Sequence, residues 1–214
     1  MINLFLGKKN PEIEAQAKKL GFEKILFTKV IRIIKDFDQD TNSKNYDSCL
    51  MHTDNIENLR RFIDKASFLN LKVIVLGTSN EINRISLENK KVFALLDPDY
   101  ERKKDFLDSR DSGLNQVLCK IARDNKKLIL INLNNLNNSR NLGRTLQNFK
   151  LCKKFKTQIQ LVDIKDNSST EEMKSSFELK ELERILKTHE HFDFESLKEF
   201  KIKVFHMIYV SKKI

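Results

Sequence analysis

With 214 residues, 40% of them hydrophobic and 33% charged, the chain can bury about 70% of its unfolded surface, which excludes disorder throughout despite a mean hydropathy of −0.49. No apolar stretch approaches the roughly 18 residues that span a bilayer, and the N-terminus MINLFLGKKNPEIEAQ turns charged too early for a signal peptide, so a cytoplasmic protein is expected. A net charge of +10 speaks for polyanionic partners and says nothing about fold.

Apolar runs of four to six residues alternate with longer segments of helical period, the pattern of βα units around a parallel sheet. In chain order, a strand at Ile2 to Leu6 precedes a helix at Pro11 to Leu20, opened by Pro and closed by Gly21. Strands follow at Lys24 to Phe27 and, more weakly, Ser48 to His52. A helix from Asn55 to Asn70, capped by Thr53 or Asp54, sets Ile56, Leu59, Ile63 and Ala66 on one face. Strands at Lys72 to Leu76 and Val92 to Leu96 lead to a helix at Gly113 to Asn125, whose stripe of Leu114, Val117, Leu118 and Ile121 faces the core. That leaves Gln116, Lys120 and Arg123 on the other side.

A strand at Leu128 to Asn132 runs into an Asn-rich loop, NLNNLNNSRN, and then a helix at Leu142 to Phe155. Leu142, Leu146, Phe149 and Cys152 form its apolar stripe, with Arg144, Lys150, Lys153 and Lys154 flanking it and Arg140 in the loop before. Gln158 to Val162 is a strand, Ser176 to His189 a helix carrying Leu179, Leu182, Ile185 and Leu186, and Val204 to Val210 a weaker strand. About eight strands in that alternation favour a TIM-like (β/α) barrel, read as a single domain over residues 1–214.

Much chemistry is missing. Gly7, Gly21, Gly77, Gly113 and Gly143 are too dispersed for GxGxxG or a P-loop, so no nucleotide cofactor is expected. Cys49, Cys119 and Cys152 lie in or beside apolar stretches and read as buried thiols in a reducing compartment. His189-Glu190-His191 has no Cys or Asp cluster near it to complete a metal site, and no GxSxG occurs. Asp97 and Asp99 follow a strand end, where a barrel enzyme places carboxylates; Asp-Pro-Asp is also a common turn opener. The positive charge, in contrast, is concentrated. Residues 101–157 carry 14 Lys+Arg against 5 Asp+Glu, whereas residues 1–100 carry 16 against 14 and residues 158–214 carry 10 against 11. A local basic excess is the footprint of a surface that meets phosphate.

The same region carries a resemblance. The segment from Arg110 to Phe155 resembles the ribonuclease P protein component 3 family, the thirty-kilodalton subunit of archaeal and eukaryotic ribonuclease P. Arg110, Gly113, Leu114, Asn115, Val117, Leu118 and Lys120 match a first helix entry, and Arg144, Asn148, Leu151, Cys152, Lys154 and Phe155 match a second helix. SNEINRISLENKKVFALLDPD (Ser79 to Asp99) resembles the family's helix-to-strand segment, and MKSSFELKELERIL (Met173 to Leu186) resembles its next helix entry. Gln116 stands where the family usually has His, Lys174 where it has Arg, and Ser176 where it has Pro.

The resemblance implies a TIM-like barrel that binds ribonuclease P RNA, the RNA performing 5′ leader removal from precursor tRNA. It also implies a second protein partner, protein component 2, in a heterotetramer, with neither metal nor cofactor. The residues expected to meet RNA are Arg110, Gln116, Lys120, Arg123, Arg140, Arg144, Lys150, Lys153, Lys154 and Lys174. The competing expectation is a metal-dependent barrel phosphoesterase using Asp97, Asp99 and a histidine.

Overall fold

A computed structural model of the protein describes residues 1–100, 105, 110–137, 139–167 and 173–188. The strands are β1 (Ile2–Leu6), β2 (Lys24–Ile31), β3 (Ser48–Met51), β4 (Lys72–Leu76), β5 (Val92–Leu96), β6 (Leu128–Asn132), β7 (Gln158–Val162) and β8 (Lys165–Asp166). The helices are α1 (Pro11–Lys19), α2 (Ile56–Phe68), α3 (Asn80–Glu88), α4 (Gln116–Asp124), α5 (Ser139–Phe155) and α6 (Ser176–Thr188). All seven strand pairings are parallel, in the order β7-β6-β5-β4-β3-β2-β1-β8. Because β7 and β8 are separated only by Asp163 and Ile164, the two edges of that order belong to one stretch of chain. The sheet therefore curls until its edges meet, giving a TIM-like α/β barrel.

Side chains close the seam between β1 and β7. Asn3, fully buried, donates to the Asp163 carbonyl at 3.0 Å and accepts from the Asp163 N–H at 2.9 Å. Gln160 donates to the Ile2 carbonyl at 2.6 Å and accepts from its N–H at 3.4 Å. Glu183 of α6 accepts from the Leu161 N–H at 2.8 Å. Backbone groups left over where the ladder lapses thus find amide or carboxylate partners, as buried polar groups must.

The barrel interior is filled by Leu4, Leu26, Leu50, Ile74, Ala94, Leu96, Leu130 and Val162, and a second, larger core lies between strands and helices. This double burial is why the strands read as near-continuous apolar runs. Helix starts are set by side-chain caps: Asn10, Asn55, Ser79 and Asn115 accept from the backbone N–H of Glu12, Asn58, Ile82 and Leu118. No helix of eight residues or more joins β2 to β3 among the described residues; a 3₁₀ turn at Ile34–Asp36 stands there. No helix among them is long and apolar enough to cross a membrane.

Several expectations are corrected. The cap of α2 is Asn55, not Thr53 or Asp54. The eighth strand of the sheet is Lys165–Asp166; Val204 to Val210 lies outside the described residues. α4 begins at Gln116 and not Gly113, since Asn115 is its cap, and this turns the helix so that Val117 is 51% exposed while Leu118, Cys119 and Ala122 are buried. The Asn-rich loop contains a 3₁₀ turn, Leu133–Asn137, whose Leu133 and Leu136 enter the core. All three cysteines are buried free thiols.

Candidate nucleic-acid interface

α4 and α5 are packed neighbours on the outside of the barrel. Thr157, just after α5, donates its hydroxyl to the Cys119 carbonyl at 2.8 Å and its N–H to the Cys152 carbonyl at 2.9 Å, tying the two helices together. Their outer faces meet at Phe155, whose ring lies 5.8 Å from Lys120 Nζ and 5.7 Å from Lys154 Nζ. Gln116, Lys120 and Arg123 are exposed on α4, and Lys150, Lys153 and Lys154 are exposed on α5. Lys120 and Lys154 thus come together over one ring, and the other four residues are exposed on the same two helices. Arg123 is also paired with the adjacent Asp124 at 2.8 Å, and Lys153 donates to the Lys187 carbonyl.

The four remaining residues stand differently. Arg140 is exposed in the first turn of α5, at the barrel rim where the strands end. Lys174 is half-buried, with Nζ 3.6 Å from Glu178, and belongs to the entry of α6, away from the α4–α5 faces. Arg144 corrects the expectation outright. It is 1% exposed, and its Nε donates to Asp105 at 2.8 Å; an internal ion pair holds the guanidinium that spacing alone had placed on the flank of the helix. Burial raises the pKa of Asp105, but the Arg144 hydrogen bond and the Asp111 N–H outweigh it and hold the carboxyl below its usual value.

Arg110 is exposed, and its guanidinium crosses α5 directly above Gly143: a Cβ there would fall 1.0 Å from Nη1. The Arg110 carbonyl accepts from Gln147 at 3.2 Å. Two buried asparagines fix the turn that follows. Asn148 donates to the Ser112 carbonyl at 2.9 Å, and Asn83 of α3 donates to the carbonyls of Pro98 at 2.8 Å and Gly113 at 3.0 Å. Gly113 sits at φ +74°, and a Cβ on it would stand 1.9 Å from the Pro98 carbonyl oxygen. Much of the motif thus has a structural purpose: Gly113, Arg144 and Asn148 lock the β5–α4 connection onto α5 and set the pose of α4. Asn83 is the participant that the sequence reading missed. Its signal is a polar residue amid the buried face of α3, beside Ile82, Ser86 and Leu87.

Asp97 and Asp99 are buried at the C-terminal mouth of the barrel. Burial pushes the Asp97 carboxyl up to about 7, against the Asn132 N–H that it accepts at 2.8 Å, with the Asp99 charge adding to the rise. The same carboxylate ties the end of β5 to the end of β6. His52 packs its ring edge-on to Tyr100 at 5.3 Å. Among the described residues, no three His, Cys, Asp or Glu side chains stand together as a ligand set. His189-Glu190-His191 lies outside the described residues.

No protein-family model matches this sequence, and no curated protein is significantly similar to it. Among solved structures, it is similar to a chain in a cryo-EM structure of archaeal ribonuclease P with mature tRNA, with a TM-score of 0.66 and 21% identity. The alignment covers 98% of this chain and 89% of that one. At that identity the likeness establishes the fold, from one end of the barrel to the other.

Proposed function

We propose that this chain is a protein subunit of an archaeal- or eukaryotic-type ribonuclease P that binds and stabilises the ribonuclease P RNA, the RNA removing the 5′ leader of precursor tRNA. The observation that carries the proposal is the meeting of two independent likenesses. A motif-level resemblance strongest over residues 110–155 and a fold-level similarity spanning 98% of the chain both lead to ribonuclease P. The physical support is the exposed cation set on α4 and α5, Lys120, Arg123, Lys150, Lys153 and Lys154, presented on a rigid helix pair. Lysines on such a face attract phosphate without base selectivity, so folded RNA held by its backbone is the fitting target. A second protein subunit, protein component 2, completes the reading, in a heterotetramer.

The test is binding of the purified full-length chain to a transcribed ribonuclease P RNA, against a structured RNA of equal length, at 150 mM salt. The proposal requires a preference of at least tenfold for the ribonuclease P RNA, and restoration of precursor tRNA cleavage when the chain is added to the RNA with its partner subunits. Equal binding of both RNAs and no effect on cleavage would refute it.

A further inference from the structure

Four helices end in the same way. After α1, α2, α4 and α5, the chain turns through a left-handed residue whose own N–H bonds the carbonyl three residues back, while the next N–H bonds the carbonyl five back. The left-handed residues are Gly21 (φ 80°), Asn70 (φ 55°), Lys126 (φ 53°) and Lys156 (φ 55°). Gly and Asn are the side chains that tolerate this conformation. Lys is not, so two of the four turns retain a strained backbone under a lysine where glycine would relax it.

The two lysines are neighbours. Each stands two residues before a strand, ahead of Leu128 in β6 and Gln158 in β7, which face each other in the parallel register. Both side chains are exposed, at the barrel end where the strands begin. Beside them a cleft of about 650 Å³ opens between the end of α5, the start of β7 and α6; Leu128, Lys153, Lys156, Lys180 and Lys187 are among the residues lining it. Its carboxylate, Glu183, is already engaged by the Leu161 N–H and by Lys187 at 3.2 Å. Lys127, between the two turns, is not part of this surface: its ammonium is folded inward onto the carbonyls of Asn89, Lys90 and Val92.

We infer that this N-terminal rim, centred on Lys126 and Lys156 and running into the Lys153–Lys180 cleft, is a second docking surface for the RNA phosphate backbone. It adjoins the α4–α5 face at Lys153 and rests on the RNA-binding reading above. A cation near a helix C-terminus is favourable in its own right, but that accounts for lysine at any last-turn position, not for lysine at the one position that demands a left-handed backbone. RNA is favoured over an acidic protein by continuity: Lys153 lines the cleft while its neighbour Lys154 lies over Phe155 with Lys120, so the rim extends the proposed RNA face around the end of α5. Lysines, with their freely rotating point charges, suit a backbone presented at varied angles.

The test is the double variant Lys126→Gly/Lys156→Gly in the full chain, measured with two probes, the ribonuclease P RNA transcript and a 20-base-pair RNA duplex. The thermal midpoint should rise by roughly 2–6 °C as the strain is released. Affinity for RNA at 150 mM salt should fall roughly tenfold, and the slope of log K against log salt should shrink by about 1.4–1.8. The charge-preserving pair Lys126→Arg/Lys156→Arg should keep both affinity and slope. Glycine variants that are stabilised yet bind both probes with wild-type affinity and slope would overturn the rim. If the wild type binds the duplex as well as the transcript and the glycine pair weakens both, the rim stands and the ribonuclease P assignment falls. Failure of the wild type to bind either probe ends both.

Discussion

The guanidinium of Arg110 occupies the place that a side chain at position 143 would take, its Nη1 lying 1.0 Å from where a Gly143 Cβ would be. Gly143 sits inside α5, where glycine ordinarily costs about 1 kcal/mol relative to alanine. Its tolerance there has a ready reason: it lets an arginine lie flat across the helix. Gly143→Ala should therefore leave stability unchanged or raise it by up to about 1 kcal/mol, since the exposed guanidinium can swing aside. Under the RNA-binding proposal it should lower RNA affinity as much as Arg110→Ala does. Gly113→Ala is the contrast. Its Cβ would meet the Pro98 backbone at a left-handed φ, so a loss of roughly 3–5 kcal/mol in denaturant unfolding is expected. Equal stability effects at the two positions would contradict this assignment.

Arg144 gives the second prediction. Removing a buried guanidinium that pairs with the partly exposed Asp105 should cost about 2–4 kcal/mol in Arg144→Ala, less than for a fully enclosed pair. The salt slope of RNA binding should stay at its wild-type value, because the group is not at the surface. A stable variant with a shallower slope would place Arg144 at the RNA after all.

The distinction between Arg144 and its neighbours marks what could be read from the chain itself. Strand positions from β4 to β7 followed from apolar runs, because a strand buried on both faces has no other pattern. The stripe of α5 followed from its period, and Leu142, Leu146, Phe149 and Cys152 are all buried. Val117 was misplaced because the cap of α4 is Asn115: Gly113 and Leu114, which continue the helical spacing, lie outside the helix, the turn being held by hydrogen bonds from α3 to Gly113 and from α5 to Ser112. Arg144 was misplaced because its partner, Asp105, lies 39 residues away in a loop without periodicity. The seam was invisible for the same reason. Asn3 and Gln160 are single polar residues in apolar strands, and only the closed sheet brings them to the backbone groups that they satisfy.

Asp97 makes stability depend on pH. Its carboxyl titrates near 7 in the folded protein, whereas an unfolded Asp titrates near 3.9. Between about pH 4 and pH 7 the folded state therefore holds a proton that the unfolded state has released, and this group's contribution falls as pH rises through that window, then levels off. Asp97→Asn keeps an acceptor for the Asn132 N–H and suits the φ of 44°. It should raise stability at pH 8 by about 1–3 kcal/mol and flatten the profile between pH 4 and pH 7. Urea titrations at pH 5 and pH 8 check this, and an unchanged pH profile would show that Asp97 is charged in the fold.

The central claim is that cations from α4 and α5, meeting at Phe155, bind RNA through its phosphates. The most direct measurement is the dependence of ribonuclease P RNA binding on salt for the wild type and for Lys120→Ala/Lys154→Ala. Both lysines are exposed, so the thermal midpoint should hardly move, while the slope of log K against log salt should fall by about 1.4–1.8. A variant that binds with the wild-type slope would contradict the account.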